Sequence, residues 1–297
     1  PMKTFKGSGV ALVTPFHTDG SIDLAALKAL VTLQLKGGTD FLVVQGTTGE
    51  SPTLSQDEKR LVLDTVLEVN NGQLPVVYGV GGNNTLALEP LLNNVPSGVD
   101  GILSVSPYYN KPIQKGIVAH FKQVASYTNL PIILYNVPGR TGSNMSIETT
   151  LELAELPNVV AVKEASGNME QIMDIIRQRK PGFGVLSGDD NLTMPLIAAG
   201  ADGVISVVAN AFPERFSQMV HASMSKDLEL AKQAHYDLFS VTKMFFEEGN
   251  PGGVKVALAA RDLMQETMRM PLHPVSEGLR SRIQAETARI LTSVSIK

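Results

Sequence analysis

The sequence predicts an α/β protein built as a TIM (β/α)8 barrel with a C-terminal helical appendage. Three observations carry this. Eight short apolar runs are spaced through residues 1–225, and stretches with helical periodicity lie between them. Most of the runs are continuously apolar, the pattern of a parallel sheet buried on both faces. Beyond Ser225 the strand signal stops and only helical patterns remain. A doubly wound open sheet would show the same alternation, and eight successive units favour closure over it.

The runs begin GVALVTPF from Gly9, FLVVQG from Phe41, PVVYGV from Pro75 and GILSVSP from Gly101. They continue with PIILYNV from Pro131, VVAVKEA from Val159, GVLSGD from Gly184 and GVISVVAN from Gly203. Of the helices between them, DLAALKALVTLQLKGG follows the first run. SQDEKRLVLDTVLEV opens with Ser55 and Glu58 in capping-box spacing. NMEQIMDIIRQRK starts at Asn168, a good N-cap, and lines up Ile172, Ile175 and Ile176 on one face. DLELAKQAHYDLFSVTKMFFEE, GGVKVALAARDLM and SEGLRSRIQAETARILTSV make the C-terminal part. The expected division is a catalytic barrel over 1–225 and a helical region over 226–297.

Composition narrows the function. Hydrophobic residues are 43% and charged residues 18% of the 297, enough for a large core and too apolar for disorder. A net charge of −4 offers no basic surface for nucleic acid. With no cysteine there is no disulfide and no thiolate nucleophile, which suits a reducing, cytoplasmic setting. No run approaches the roughly 20 apolar residues of a membrane span. Pro1 ahead of Met2 reads as a cloning remnant, and no apolar leader core follows it. His17, His120, His221, His235 and His273 lack helical ligand spacing, so no metal is expected.

In a barrel of this type the site lies at the C-terminal ends of the strands. Polar groups collect there: GTTGES (46–51), SPYYNKP (106–112), YNVPGRTG (135–142), Lys163, SGDD (187–190) and SVVAN (206–210). In VVAVKEA, strand alternation puts Val159, Ala161, Lys163 and Ala165 on one face and Glu164 on the other. A lysine facing the interior loses hydration, which favours the neutral, nucleophilic amine of Schiff-base enzymes. It could instead snorkel to the mouth or bind an anion. GTTGE offers two hydroxyls and several N–H groups to a carboxylate, or is a plain glycine turn. Arg140 suits bidentate carboxylate binding, or sits solvated on a Pro-Gly turn. Tyr135 is a proton relay or core packing, and Tyr108 and Tyr109 could simply be an aromatic surface. GVGGNN (79–84) lacks the third glycine of a dinucleotide fingerprint.

GTTGES, SPYYNKP, YNVPGRTG, VVAVKEASGN and LSGDD, in this order, resemble the dihydrodipicolinate synthase family of pyruvate-dependent class I aldolases. The resemblance runs from GVALVTPF to PLHPV. It implies condensation of pyruvate with L-aspartate 4-semialdehyde to 4-hydroxy-tetrahydrodipicolinate, in lysine and diaminopimelate biosynthesis. Lys163 would form the imine. Tyr135 would move protons in a relay with Thr47 and with a Tyr109 supplied by the neighbouring subunit. Thr47 and Thr48 would hold the pyruvate carboxylate and Arg140 that of the aldehyde. Gly188 and Ile205 would line the site with backbone. The resemblance also implies a homotetramer, a dimer of tight dimers, with no cofactor.

Relatives use the same lysine on other aldehydes, as N-acetylneuraminate lyase and sugar-acid aldolases do. Arg140 in PGRTG argues against the sialic acid branch. A non-catalytic small-acid sensor would be expected to lose Lys163 or Tyr135. Ser51, Asn83 and Tyr108 match a cleft where many relatives bind L-lysine as inhibitor. Gln56 and Lys59 stand where strongly inhibited relatives carry histidines, and Ala87 where they carry a glutamate. Weak or absent inhibition is therefore expected.

Overall fold

The structure, a computed structural model, describes residues 5–294; the Pro1–Met2 start lies outside them. The eight strands are β1 Gly7–Ala11, β2 Phe41–Val44, β3 Val76–Gly79, β4 Gly101–Val105, β5 Ile132–Asn136, β6 Val159–Glu164, β7 Gly184–Ser187 and β8 Gly203–Ser206. Each pairs in parallel with the next, and β8 pairs with β1 to close the barrel. Every expected run supplies one strand, and closure rules out the open doubly wound sheet. Strand ends differ by design of the mouth. β1 stops at Ala11, and the VAN of the eighth run folds as a short 3-10 turn, Val208–Asn210.

Strand periodicity sorts the side chains into two cores. Phe41, Val43, Val77, Leu103, Ile133, Tyr135, Ala161, Leu186 and Ile205 pack inside the barrel. Val10, Leu42, Val44, Val76, Ile102, Ile132, Leu134, Val162, Val185 and Val204 pack outward against the helices. Gly9 makes room for the inner layer: a Cβ there would lie 2.2 Å from the Phe41 ring. One expectation fails. The β5–β6 register pairs Ile132 with Val159 and Ile133 with Ala161, skipping Val160. This irregularity turns Val159 outward, so it does not share a face with Lys163. Lys163 and Glu164 still point oppositely.

Both expected caps form: Asn168 accepts from the Gln171 N–H, and Ser55 and Glu58 complete a reciprocal capping box; Asp23 adds a third, accepting from the Ala26 N–H. After the helix Pro213–Met224 come the C-terminal helices Leu228–Glu247, Gly252–Ala260 and Glu277–Val294. The middle one ends at Ala260, short of the periodic run to Met264, and Asp262 beyond it has φ +56°. It packs at the mouth of the barrel. Lys255 is fully buried, its Nζ donating to Glu50 Oε2 at 2.6 Å and to the Thr14 and Thr267 carbonyls at 2.8 Å.

Candidate active site

Lys163 lies inside the barrel on β6, 7% exposed, with Nζ 4.0 Å from the centroid of the Tyr135 ring. The two residues are register partners across β5 and β6, so the sheet itself sets their spacing. An ammonium over a phenol face is a favourable cation–π pair. Behind them, the Glu164 carboxylate accepts from Asn136 Nδ2 (2.9 Å), Gln171 Nε2 (3.1 Å) and Ser166 Oγ (2.7 Å). Burial pushes the Glu164 carboxyl up, and its hydrogen bonds oppose that. The carboxyl that senses the Lys163 charge is Asp189: burial raises its pKa, and the ammonium pulls it back. Asp190 is buried, and burial pushes its pKa up to about 6. It accepts from Ser206 Oγ and, at 3.1 Å, from the Val207 N–H, tying the β7 loop to the end of β8.

GTTGES leaves β2 as the 3-10 turn Thr47–Gly49. Thr47 lines a cavity of about 480 Å³ together with Tyr135, Val137 and Arg140. Thr48 is buried, and its Oγ1 accepts from Asn250 Nδ2 at 3.0 Å. Arg140 belongs to the short helix Pro138–Thr141 after β5 and is exposed at the rim. A Cβ at Gly188 would lie 2.7 Å from Ala165 Cβ and 3.1 Å from both the Glu164 carbonyl and Lys163 Cε, so the glycine lets the end of β7 approach β6 closely. Ile205 is buried in the inner layer on β8.

The same cavity runs on past Tyr108 to Ser51, Gln56 and Lys59. Ser51 and Tyr108 line it, and Asn83, which does not, donates to the Tyr108 carbonyl at 2.9 Å. Burial lowers the Lys59 pKa. Tyr109 is different: 89% exposed, at φ +72°, it does not line the cavity of its own barrel. Among the described residues no hydrogen bond joins Thr47 to Tyr135.

Sequence reasoning passed over Glu50, Asn250 and Lys255. Lys255 had a signal, a lone charge in the otherwise apolar and small GGVKVALAA. Asn250 had none. Among the described residues no group of His, Asp and Glu could hold a metal, and no helix is long and apolar enough to cross a membrane.

A closed parallel barrel with a buried lysine on its sixth strand, stacked over a tyrosine of the fifth, is the arrangement of an enzyme of the class I aldolase type. Residues 4–290 match the profile of the Dihydrodipicolinate synthetase family. The chain is 49% identical to the 4-hydroxy-tetrahydrodipicolinate synthase of Flavobacterium psychrophilum, over 97% of this chain and 99% of that one. It superposes on the dihydrodipicolinate synthase of Aquifex aeolicus with a TM-score of 0.92 at 40% identity, covering 96% and 98% of the two chains. For the Acinetobacter baumannii enzyme, whose crystal structure is a complex with pyruvate, the TM-score is 0.94 at 38% identity, covering 97% and 99%. The chain belongs to the dihydrodipicolinate synthetase family.

Proposed function

We propose that this barrel condenses pyruvate with L-aspartate 4-semialdehyde to give 4-hydroxy-tetrahydrodipicolinate, the step that serves lysine and diaminopimelate biosynthesis. The observation that carries the reading is the buried Lys163 amine against Tyr135, beside a cavity shared by Thr47 and Arg140. The amine adds to the pyruvate ketone and water leaves, giving an imine. Loss of a methyl proton gives the enamine, whose carbon attacks the aldehyde. The amine of the second substrate then attacks the imine carbon, closes the ring and releases Lys163. Tyr135, with Thr47, carries protons. Thr47 and Thr48 hold the pyruvate carboxylate, and Arg140 pairs with that of the aldehyde. Gly188 and Ile205 line the imine.

Tyr109 completes the relay of a neighbouring barrel. Its exposure, with that of Leu86 (71%) and Ile113 (75%), supports burial against a second copy. The assembly is a homotetramer of tight dimers working in the cytoplasm without a cofactor. The catalytic unit is the barrel and its outer helices through Met224, and the helices Leu228–Glu247, Gly252–Ala260 and Glu277–Val294 make a C-terminal helical region. Arg140 favours this aldehyde over those of the N-acetylneuraminate lyase and sugar-acid aldolase branch. A coupled assay with pyruvate and each aldehyde tests the reading. Turnover with aspartate semialdehyde is expected, and faster turnover with N-acetylmannosamine would move the protein to the other branch.

A further inference from the structure

The Thr47–Gly49 turn is gripped by the C-terminal region at two points. Asn250, between the helices Leu228–Glu247 and Gly252–Ala260, donates from Nδ2 to Thr48 Oγ1 at 3.0 Å. Lys255 holds Glu50, two residues further along the turn, at 2.6 Å. The Arg269 N–H reaches the other oxygen of the same carboxylate at 3.1 Å.

These contacts have a chemical consequence for Thr48. A hydroxyl has one proton and two lone pairs, and a side-chain amide nitrogen is a donor only. Once Asn250 occupies a lone pair of Thr48, the hydroxyl proton must be donated elsewhere. Among the described residues no hydrogen bond uses that proton. Thr48 itself is buried behind the cavity lining, and the neighbouring Thr47 lines the cavity together with Tyr135 and Arg140. The opposite arrangement, an acceptor facing Thr48, would draw the proton away from this cavity.

We propose that Asn250 is a positioning residue that fixes Thr48 as a hydrogen-bond donor to the substrate carboxylate, with the Lys255–Glu50 pair holding the turn in place for it. Thr48 touches the substrate, and Asn250 acts through Thr48. The inference rests on the reading of the cavity as a pyruvate site.

The test compares Asn250→Ala with Asn250→Asp on the full chain. The readouts are pyruvate KM and the pyruvate dependence of borohydride trapping. Aspartate is nearly isosteric but accepts only, so it captures the Thr48 proton. Alanine leaves the hydroxyl free to turn. The aspartate variant is expected to raise KM for pyruvate on the order of tenfold or more, the worth of a charge-assisted hydrogen bond, and the alanine variant by less. A role in packing alone predicts the reverse order, because aspartate keeps the shape. In a Thr48→Val background the extra penalty of aspartate should vanish, whereas simple repulsion of the substrate by a new carboxylate would persist. Alanine equal to or worse than aspartate, or an aspartate penalty that survives in Thr48→Val, overturns the assignment. Wild-type protein that fails to trap pyruvate at all would instead overturn the reading of the site.

Discussion

Lys255 and Glu50 meet at 2.6 Å, Nζ to Oε2, with neither side chain exposed to solvent. Burial lowers the lysine's pKa, and the facing carboxylate opposes that. The lysine also spends its protons on two backbone carbonyls, so the pair is fully hydrogen-bonded. Removing one partner strands a charge in a dry site. Lys255→Met is expected to destabilise by about 3–5 kcal/mol, read by urea unfolding. Adding Glu50→Gln removes the stranded charge and should recover part of the loss. Strictly additive losses would show that the two residues do not act as a pair.

His120, in the helix Gln114–Ser126, is buried; Nδ1 shares a hydrogen bond with Thr85 Oγ1 at 2.8 Å. Its Nε2 is buried without a partner, and burial pushes the pKa down to about 4. An unfolded histidine takes its proton near 6.5. Between about 6.5 and 4 the unfolded chain therefore binds the extra proton. The stability tied to a neutral His120 is present above that window and falls as pH drops through it, by up to about 3 kcal/mol. His120→Gln should remove this part of the slope. Unfolding curves from pH 4.5 to 7.5 check it, and an unchanged slope would contradict the assignment.

The residues differ in how far the sequence could reveal them. The barrel was legible because most strands buried on both faces are continuous apolar runs. Lys163 was legible because a charge at the end of such a run is a misfit. Val159 was not, since the skipped residue in β6 is set by pairing with β5, and no local pattern encodes that. Lys255 was legible only as a lone charge in an apolar helix, and its pairing was not, because the partner lies 205 positions away. Asn250 meets Thr48 only through the return of the C-terminal helices to the mouth.

Tyr109 projects away from its own cavity and is proposed to serve a neighbour. Tyr109→Phe should then cripple turnover without dissociating the dimer. Mixing it with Lys163→Ala should restore some activity, because a hybrid dimer can hold one site with both residues intact. No recovery after proven subunit exchange would place the relay within one chain.

L-lysine is expected to inhibit weakly or not at all. Ser51 and Tyr108 line the cleft, and Asn83 holds Tyr108, but Gln56 and Lys59 face it in place of histidines. Ala87 supplies no carboxylate for the ligand's ammonium groups. Losing one charged contact and adding a like charge costs ~2–4 kcal/mol of binding, a factor of roughly 30 to 1,000. Half-inhibition of the coupled assay by submillimolar L-lysine would refute this.

The central claim is that Lys163 is the nucleophile. Borohydride reduction in the presence of pyruvate, followed by peptide mass spectrometry, reads it directly. The expected result is a reduced pyruvyl adduct on the Lys163 peptide with loss of activity, and no adduct in Lys163→Arg, whose guanidinium stays protonated. An unmodified Lys163 peptide, or an adduct on Lys255 or any other lysine, would contradict it.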